Sequence, residues 1–152
     1  MSFRPLWLRA VLVTGLIAGG VAGCAQLRPS SNVDIYEATL SGGEEVPPVA
    51  TSATGMAELR LNKQTQMLNW RVTYNALSGP ATGAHIHGPV PMGQNAGIVV
   101  PFTGDLNAQP LTGERKLTPE QVTQLTGGQW YVNLHTARHP GGEIRGQLRQ
   151  RR

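Results

Sequence analysis

The residues best suited to chemistry in this 152-residue chain are its four histidines, and two of them stand in the tripeptide His85-Ile86-His87. A β-strand sends residues i and i+2 to the same face, roughly 6 to 7 Å apart. Two imidazoles placed in that way can close on one metal ion. The other two, His135 and His139, lie together near the C-terminus. His135 shares a strand face with Asn133, and Asn133-x-His135 repeats the spacing of the first pair. The expected ligands are therefore His85, His87 and His135 from facing strands. His139, in a turn before Pro140, is a fourth candidate.

The plainer alternative makes His85 and His87 structural histidines, hydrogen-bonded near a sheet end. Gly83, Gly88 and Pro89 argue for the metal, because small neighbours let the backbone turn and leave the imidazoles accessible. Neutral imidazoles suit copper, zinc, nickel or iron, and copper heads the divalent affinity order. Copper is thus the expected ion, with zinc as the alternative. A site poor in carboxylates does not suit calcium or magnesium. Met92, in the loop after the pair, is a candidate thioether for Cu(I). Binding needs neutral imidazoles, so affinity is expected to drop as pH falls through about 6.5.

Catalysis finds less support. A three-histidine zinc site with an open position activates water only with a general base nearby. No carboxylate adjoins the His pair in sequence, and no Gly-x-Ser-x-Gly nucleophile motif occurs. No catalytic residue is assigned, and a non-enzymatic role is favoured. Glu44 and Glu45 read as a charged loop rim or part of a second site. Glu143 and Arg145 alternate on the last strand and read as a structural ion pair, cross-strand or buried.

These groups need a scaffold, and the chain divides accordingly. Residues 1–23 have a basic start at Arg4 and Arg9 and an apolar run too short to be a confident membrane span, which fits a secretory signal sequence. Val21-Ala22-Gly23-Cys24 resembles a bacterial lipobox, in which cleavage frees Cys24 for lipidation. Cys24 is the lone cysteine, so no intrachain disulfide competes for it. The expected setting is extracytoplasmic, as a membrane-anchored lipoprotein facing the periplasm or outer membrane in a Gram-negative cell. Residues 24–33 read as a lipidated tether and 34–150 as one domain. The sequence pI of about 9.8 counts the leader arginines and a tail holding Arg149, Arg151 and Arg152, which reads as solvated and not as a nucleic-acid footprint. No basic stripe with interleaved aromatics occurs, so nucleic acid is not an expected partner.

The domain is a series of short apolar-alternating runs broken by Gly, Pro and Asn. Val33–Leu40 alternates, with Val33, Ile35 and Tyr36 as candidate core. Gly55–Asn62 and Met67–Tyr74 form a hairpin around Asn62-Lys63-Gln64-Thr65, and Leu68, Trp70, Val72 and Tyr74 share one face. Further strands are expected over Thr82–Gly88, Ile98–Phe102 and Leu111–Leu117, and a second hairpin over Gln129–Thr136 and Glu143–Leu148. Thr118-Pro119-Glu120-Gln121 opens a short helix that Gly127-Gly128 stops. Seven to eight strands with one short helix predict an all-β, Greek-key β-sandwich of the superoxide dismutase-like or immunoglobulin-like kind.

Four motifs then stand in order: Gly43-Glu44-Glu45-Val46-Pro47-Pro48, Ala84-His85-Ile86-His87-Gly88, Tyr131-Val132-Asn133-Leu134-His135-Thr136 and Gly141-Gly142-Glu143-Ile144-Arg145-Gly146-Gln147-Leu148. Together they resemble the CHRD domain, over roughly Tyr36 to Leu148. The resemblance implies a β-sandwich outside the cytoplasm and says little about activity. A weaker similarity is to copper-zinc superoxide dismutases, where His85, His87 and His135 look like equivalents of three copper ligands. Arg138 or Arg145 would then be the arginine near the metal. The chain departs from that family in having no histidine between His87 and His135 and no possible intrachain disulfide. The leading expectation is an envelope lipoprotein that binds copper for buffering, transfer or sensing. A copper-only dismutase-like enzyme and a metal-free structural or adhesive module remain the alternatives.

Overall fold

A computed structural model describes residues 32–152. The leader, Cys24 and all but the end of the tether lie outside the described residues. Nine strands follow: β1 (Val33–Ser41), β2 (Thr54–Asn62), β3 (Met67–Asn75), β4 (Ala81–His87), β5 (Ile98–Pro101), β6 (Leu111–Lys116), β7 (Tyr131–Thr136), β8 (Ile144–Gln147) and β9 (Arg149–Gln150). One helix, α1 (Pro119–Thr126), precedes β7. All pairings are antiparallel, in the order β5-β4-β7-β8-β1-β2-β3-β6, with β9 added to β1.

Period-two alternation builds the core, because one face of each strand turns inward. In β2 the inward set is Gly55, Ala57, Leu59 and Leu61; in β3 it is Leu68, Trp70 and Val72. From the other half come Ala84 and Ile86 of β4, Val132 and Leu134 of β7 and Ile144 of β8. Trp70 stacks on Phe102, just past β5, at 4.9 Å between centroids and 9° between planes. That contact brings β3, the last strand but one of the order, against the β5 end, so the single sheet folds on itself as the predicted sandwich does. The neighbours β4–β7 and β8–β1 are far apart in sequence, as Greek-key connections require.

The helix starts as predicted. Thr118 Oγ1 accepts from the Gln121 N–H at 3.2 Å, and Gln121 Oε1 accepts from the Thr118 N–H at 3.0 Å, a reciprocal capping box. Leu125 is its buried anchor.

Two expectations fail in detail. In β1 the buried face holds Tyr36, Ala38 and Leu40, so Val33 and Ile35 lie on the opposite one. The tail is not merely solvated. Arg149 and Gln150 pair with Glu37 and Tyr36, and Arg151 meets Glu37 at 2.8 Å.

Candidate metal centre

Strands β4 and β7 are hydrogen-bonded neighbours in one sheet, and their register fixes the site. Gly83 lies opposite His135, His85 opposite Asn133, and His87 opposite Tyr131. Because Ala84, Ile86, Val132 and Leu134 go into the core, these six residues all share the outer face. Adjacent strands thus replace the facing strands expected from sequence, and the predicted trio still meets. One ring nitrogen from each of His85, His87 and His135 falls within 4.8 Å of the others. His85 Nδ1 and His135 Nε2 are 3.1 Å apart. A metal with bonds near 2 Å sets ligand separations of roughly 3 to 4 Å, so this gap already suits a shared ion. Gly83 makes the approach possible, since a Cβ there would lie 3.0 Å from His85 Cε1 and 3.3 Å from His135 Cδ2.

Backbone carbonyls orient two of the rings. His87 Nδ1 is 3.0 Å from the Ala96 carbonyl, and His135 Nδ1 is 2.9 Å from the Pro140 carbonyl. A carbonyl only accepts, so both Nδ1 atoms carry hydrogen and donate. In the neutral ring Nε2 then holds the lone pair, and both Nε2 atoms point inward. Metal-binding histidines are commonly fixed by such an outer hydrogen bond. Burial lowers the His85 pKa to about 4, and the neighbouring His135 and His87 push the same way. Burial also lowers that of His87, against the contacts to Ala96 and Asn133. His85 is therefore neutral well below pH 6.5 and ready to coordinate.

The surroundings are polar and well tied. Tyr131 stacks on His87 at 4.9 Å and 5°, and the Arg145 guanidinium lies 3.5 Å from the centre of the Tyr131 ring. Arg145 is buried and donates to Asn95 Oδ1 at 2.9 Å and to the Gln94 carbonyl at 2.7 Å. It thereby holds the loop that brings Ala96 to His87. The expected ion pair between Glu143 and Arg145 is not formed. Glu143 instead accepts from Thr51 Oγ1 (2.8 Å), the Ser78 N–H (2.9 Å), Ser78 Oγ (2.7 Å) and Thr136 Oγ1 (2.7 Å). Burial alone would raise its pKa, but these donors hold it at about 2. The Glu143 N–H also donates to the Leu134 carbonyl, closing the turn that carries Pro140.

Other candidates fall elsewhere. His139 sits in that turn, outside the three-histidine group, and lines a surface crevice with Arg138. The Met92 sulfur accepts from Arg149 Nη2 at 3.3 Å in a different groove, which Glu44 also lines. Glu45 is no rim charge: it is 5 % exposed, and burial raises its pKa to about 7 against the pull of Arg145. The 3₁₀ turn Gly42–Glu44 folds it inward, with the Glu45 N–H donating to the Gly42 carbonyl at 3.2 Å. Sequence reasoning also missed the roles of Tyr131 and of the Ala96 and Pro140 carbonyls. Tyr131 and Asn133 carry a usable signal, since they share the period-two face of His135.

A family model described as "CHRD domain" matches residues 36–148. The chain is 27 % identical to chordin of Danio rerio over 141 residues, which cover 86 % of this chain and 15 % of that protein. The chain therefore corresponds to a small part of that relative's length. No solved structure matches the chain.

Proposed function

The chain belongs to the CHRD domain family, and on that premise we propose that it is an extracytoplasmic lipoprotein that binds one copper ion through His85, His87 and His135. The observation that carries this reading is the pair of outer hydrogen bonds to Ala96 and Pro140, which leave Nε2 as the lone-pair nitrogen of His87 and of His135 in a group whose ring nitrogens lie within 4.8 Å of one another. Three nitrogens with no carboxylate among them favour copper, with zinc as the competitor. Tyr131 and Arg145 support one wall of the site, and the buried guanidinium adds positive charge that disfavours a second cation. Storage, transfer or sensing of copper fits a site with two partly exposed histidines, because an ion must enter and leave. Copper titration of the purified protein tests the reading. One equivalent should bind to the native chain and none to the His85→Ala/His87→Ala variant. Equal binding by both would refute it.

A further inference from the structure

Beside the three histidines lies a second pair of residues that the coordination itself does not use. Asn133 is 3 % exposed, and its Oδ1 is 3.0 Å from both His87 Nε2 and His135 Nε2. Both Nδ1 hydrogens are already given to backbone carbonyls. Neutral rings therefore turn two lone pairs toward an oxygen that also only accepts. The His85 Nδ1 hydrogen can answer His135, but the His87 lone pair still faces Asn133. On its other side the Asn133 amide donates to the buried Glu45 carboxylate. This orientation suits a cation among the nitrogens, where the amide oxygen turns its negative end toward positive charge.

For an empty cluster of neutral rings, the amide turned over by 180° satisfies more groups. Its NH2 then donates to the ring lone pairs, and its oxygen meets Glu45. Only a carboxyl O–H can answer that oxygen, so the turned amide calls for a protonated Glu45. The surroundings allow it. Glu45 Oε1 has no hydrogen-bond partner among the described residues and packs against Gly142, where any Cβ would collide with it. The carboxyl also lines a crevice of about 260 Å³ with Arg138, His139 and Pro140, a route for a proton to solvent. The charged or titratable groups facing it are Arg145 from β8 and, across the crevice, Arg138 and His139.

We propose that Glu45 and Asn133 are positioning residues that exchange a proton for the metal: the Asn133 amide turns over as the ion enters, and Glu45 releases its proton through the crevice. The inference rests on the metal reading above. Charge balances, since one positive charge leaves Glu45 as cationic charge arrives at the histidines. With a carboxyl of pKa about 7, the extra release is about 0.9 proton per ion at pH 6 and about 0.1 at pH 8. The same linkage makes affinity rise about tenfold from pH 6 to pH 8 on account of this group.

Calorimetric titration with Cu²⁺, presented as its glycine complex in buffers of different ionisation enthalpy, counts those protons. Native protein should release about 0.9 proton more than Glu45→Gln at pH 6, and Glu45→Asp should keep part of that excess. Equal proton counts in native protein and Glu45→Gln, with copper still bound, would overturn the inference and leave the metal reading standing. Absence of copper binding to the native protein would remove both. If Glu45→Gln fails to fold, infrared difference spectra of the native protein decide: copper should abolish a protonated-carboxyl band at pH 6, and an unchanged band refutes the proposal.

Discussion

Replacing Glu143 by Gln should cost the domain about 3 kcal/mol at pH 7. The fully buried carboxylate takes four donors, from Thr51, Ser78 twice and Thr136, and these join β7 and the start of β8 to two loops. Its pKa falls from 4.5 to about 2. At about 1.36 kcal/mol for each tenfold change in proton affinity, a carboxyl moved from 4.5 to about 2 contributes about 3 kcal/mol. A depressed carboxylate pKa supplies stability above the unfolded value of 4.5 and loses it as pH falls through about 2. Gln fills the same space, but its NH2 opposes donors, so the buried network is broken and not merely weakened. Urea unfolding of both proteins at pH 7 and pH 3 measures the gap, which should shrink to about half at the lower pH. At pH 7 the melting temperature should drop by roughly 10 °C. A gap under about 1 kcal/mol at pH 7, or one that does not narrow in acid, would refute the reasoning. Because Glu143 also closes the turn that holds Pro140 behind His135, weaker metal binding should accompany the instability.

Gly83→Ala should weaken copper binding about tenfold with little change in melting temperature, because the new methyl presses on His85 and His135 and not on the core; an unchanged Kd would contradict this. Gly113→Ala should destabilise by about 1 to 3 kcal/mol in urea, since its Cβ runs into the Trp70 ring that stacks on Phe102; wild-type stability would show that the ring moves freely. For the metal-free protein, an NMR titration should place the His85 midpoint near pH 4, as burial dictates. Proton competition at this ligand thus sets in far below the 6.5 expected from an ordinary imidazole, and a midpoint at 6 or above would show the ring to be solvated.

The parts of the fold that could be read in advance are those where local pattern and tertiary burial agree. The β2–β3 hairpin alternates cleanly, and α1 carries its start signal in Thr118-Pro119-Glu120-Gln121. Strand β1 misleads because apolar residues occupy both faces, and Ala38, though buried, is a weaker apolar signal than Ile35. Strand β9 is short and charged, and its pairing with β1 is visible only once β8 has set its direction. At the site, the His-x-His spacing and the alternation of Asn133 with His135 suffice to name three histidines. Glu45 escaped because a charged residue in a Gly- and Pro-rich loop ordinarily faces water, and its burial depends on how that loop folds over β7 and β8. The carbonyls of Ala96 and Pro140 leave no trace in residue type, since every residue has one.

The pairing of β9 with β1 brings the two ends of the domain together. Gln150 lies beside Tyr36, and the Arg151 N–H donates to the Ile35 carbonyl, so the chain enters and leaves side by side. The lateral row Ser41–Arg145–Asn133–His85 crosses the sheet at the other end of β1, five residues or roughly 17 Å along the strand. The two ends of the described domain thus lie together at one pole, and the histidines lie near the other. Such a unit can hang from a tether, or be spliced into a longer chain, without obstructing the cluster, because neither connection has to pass in front of it.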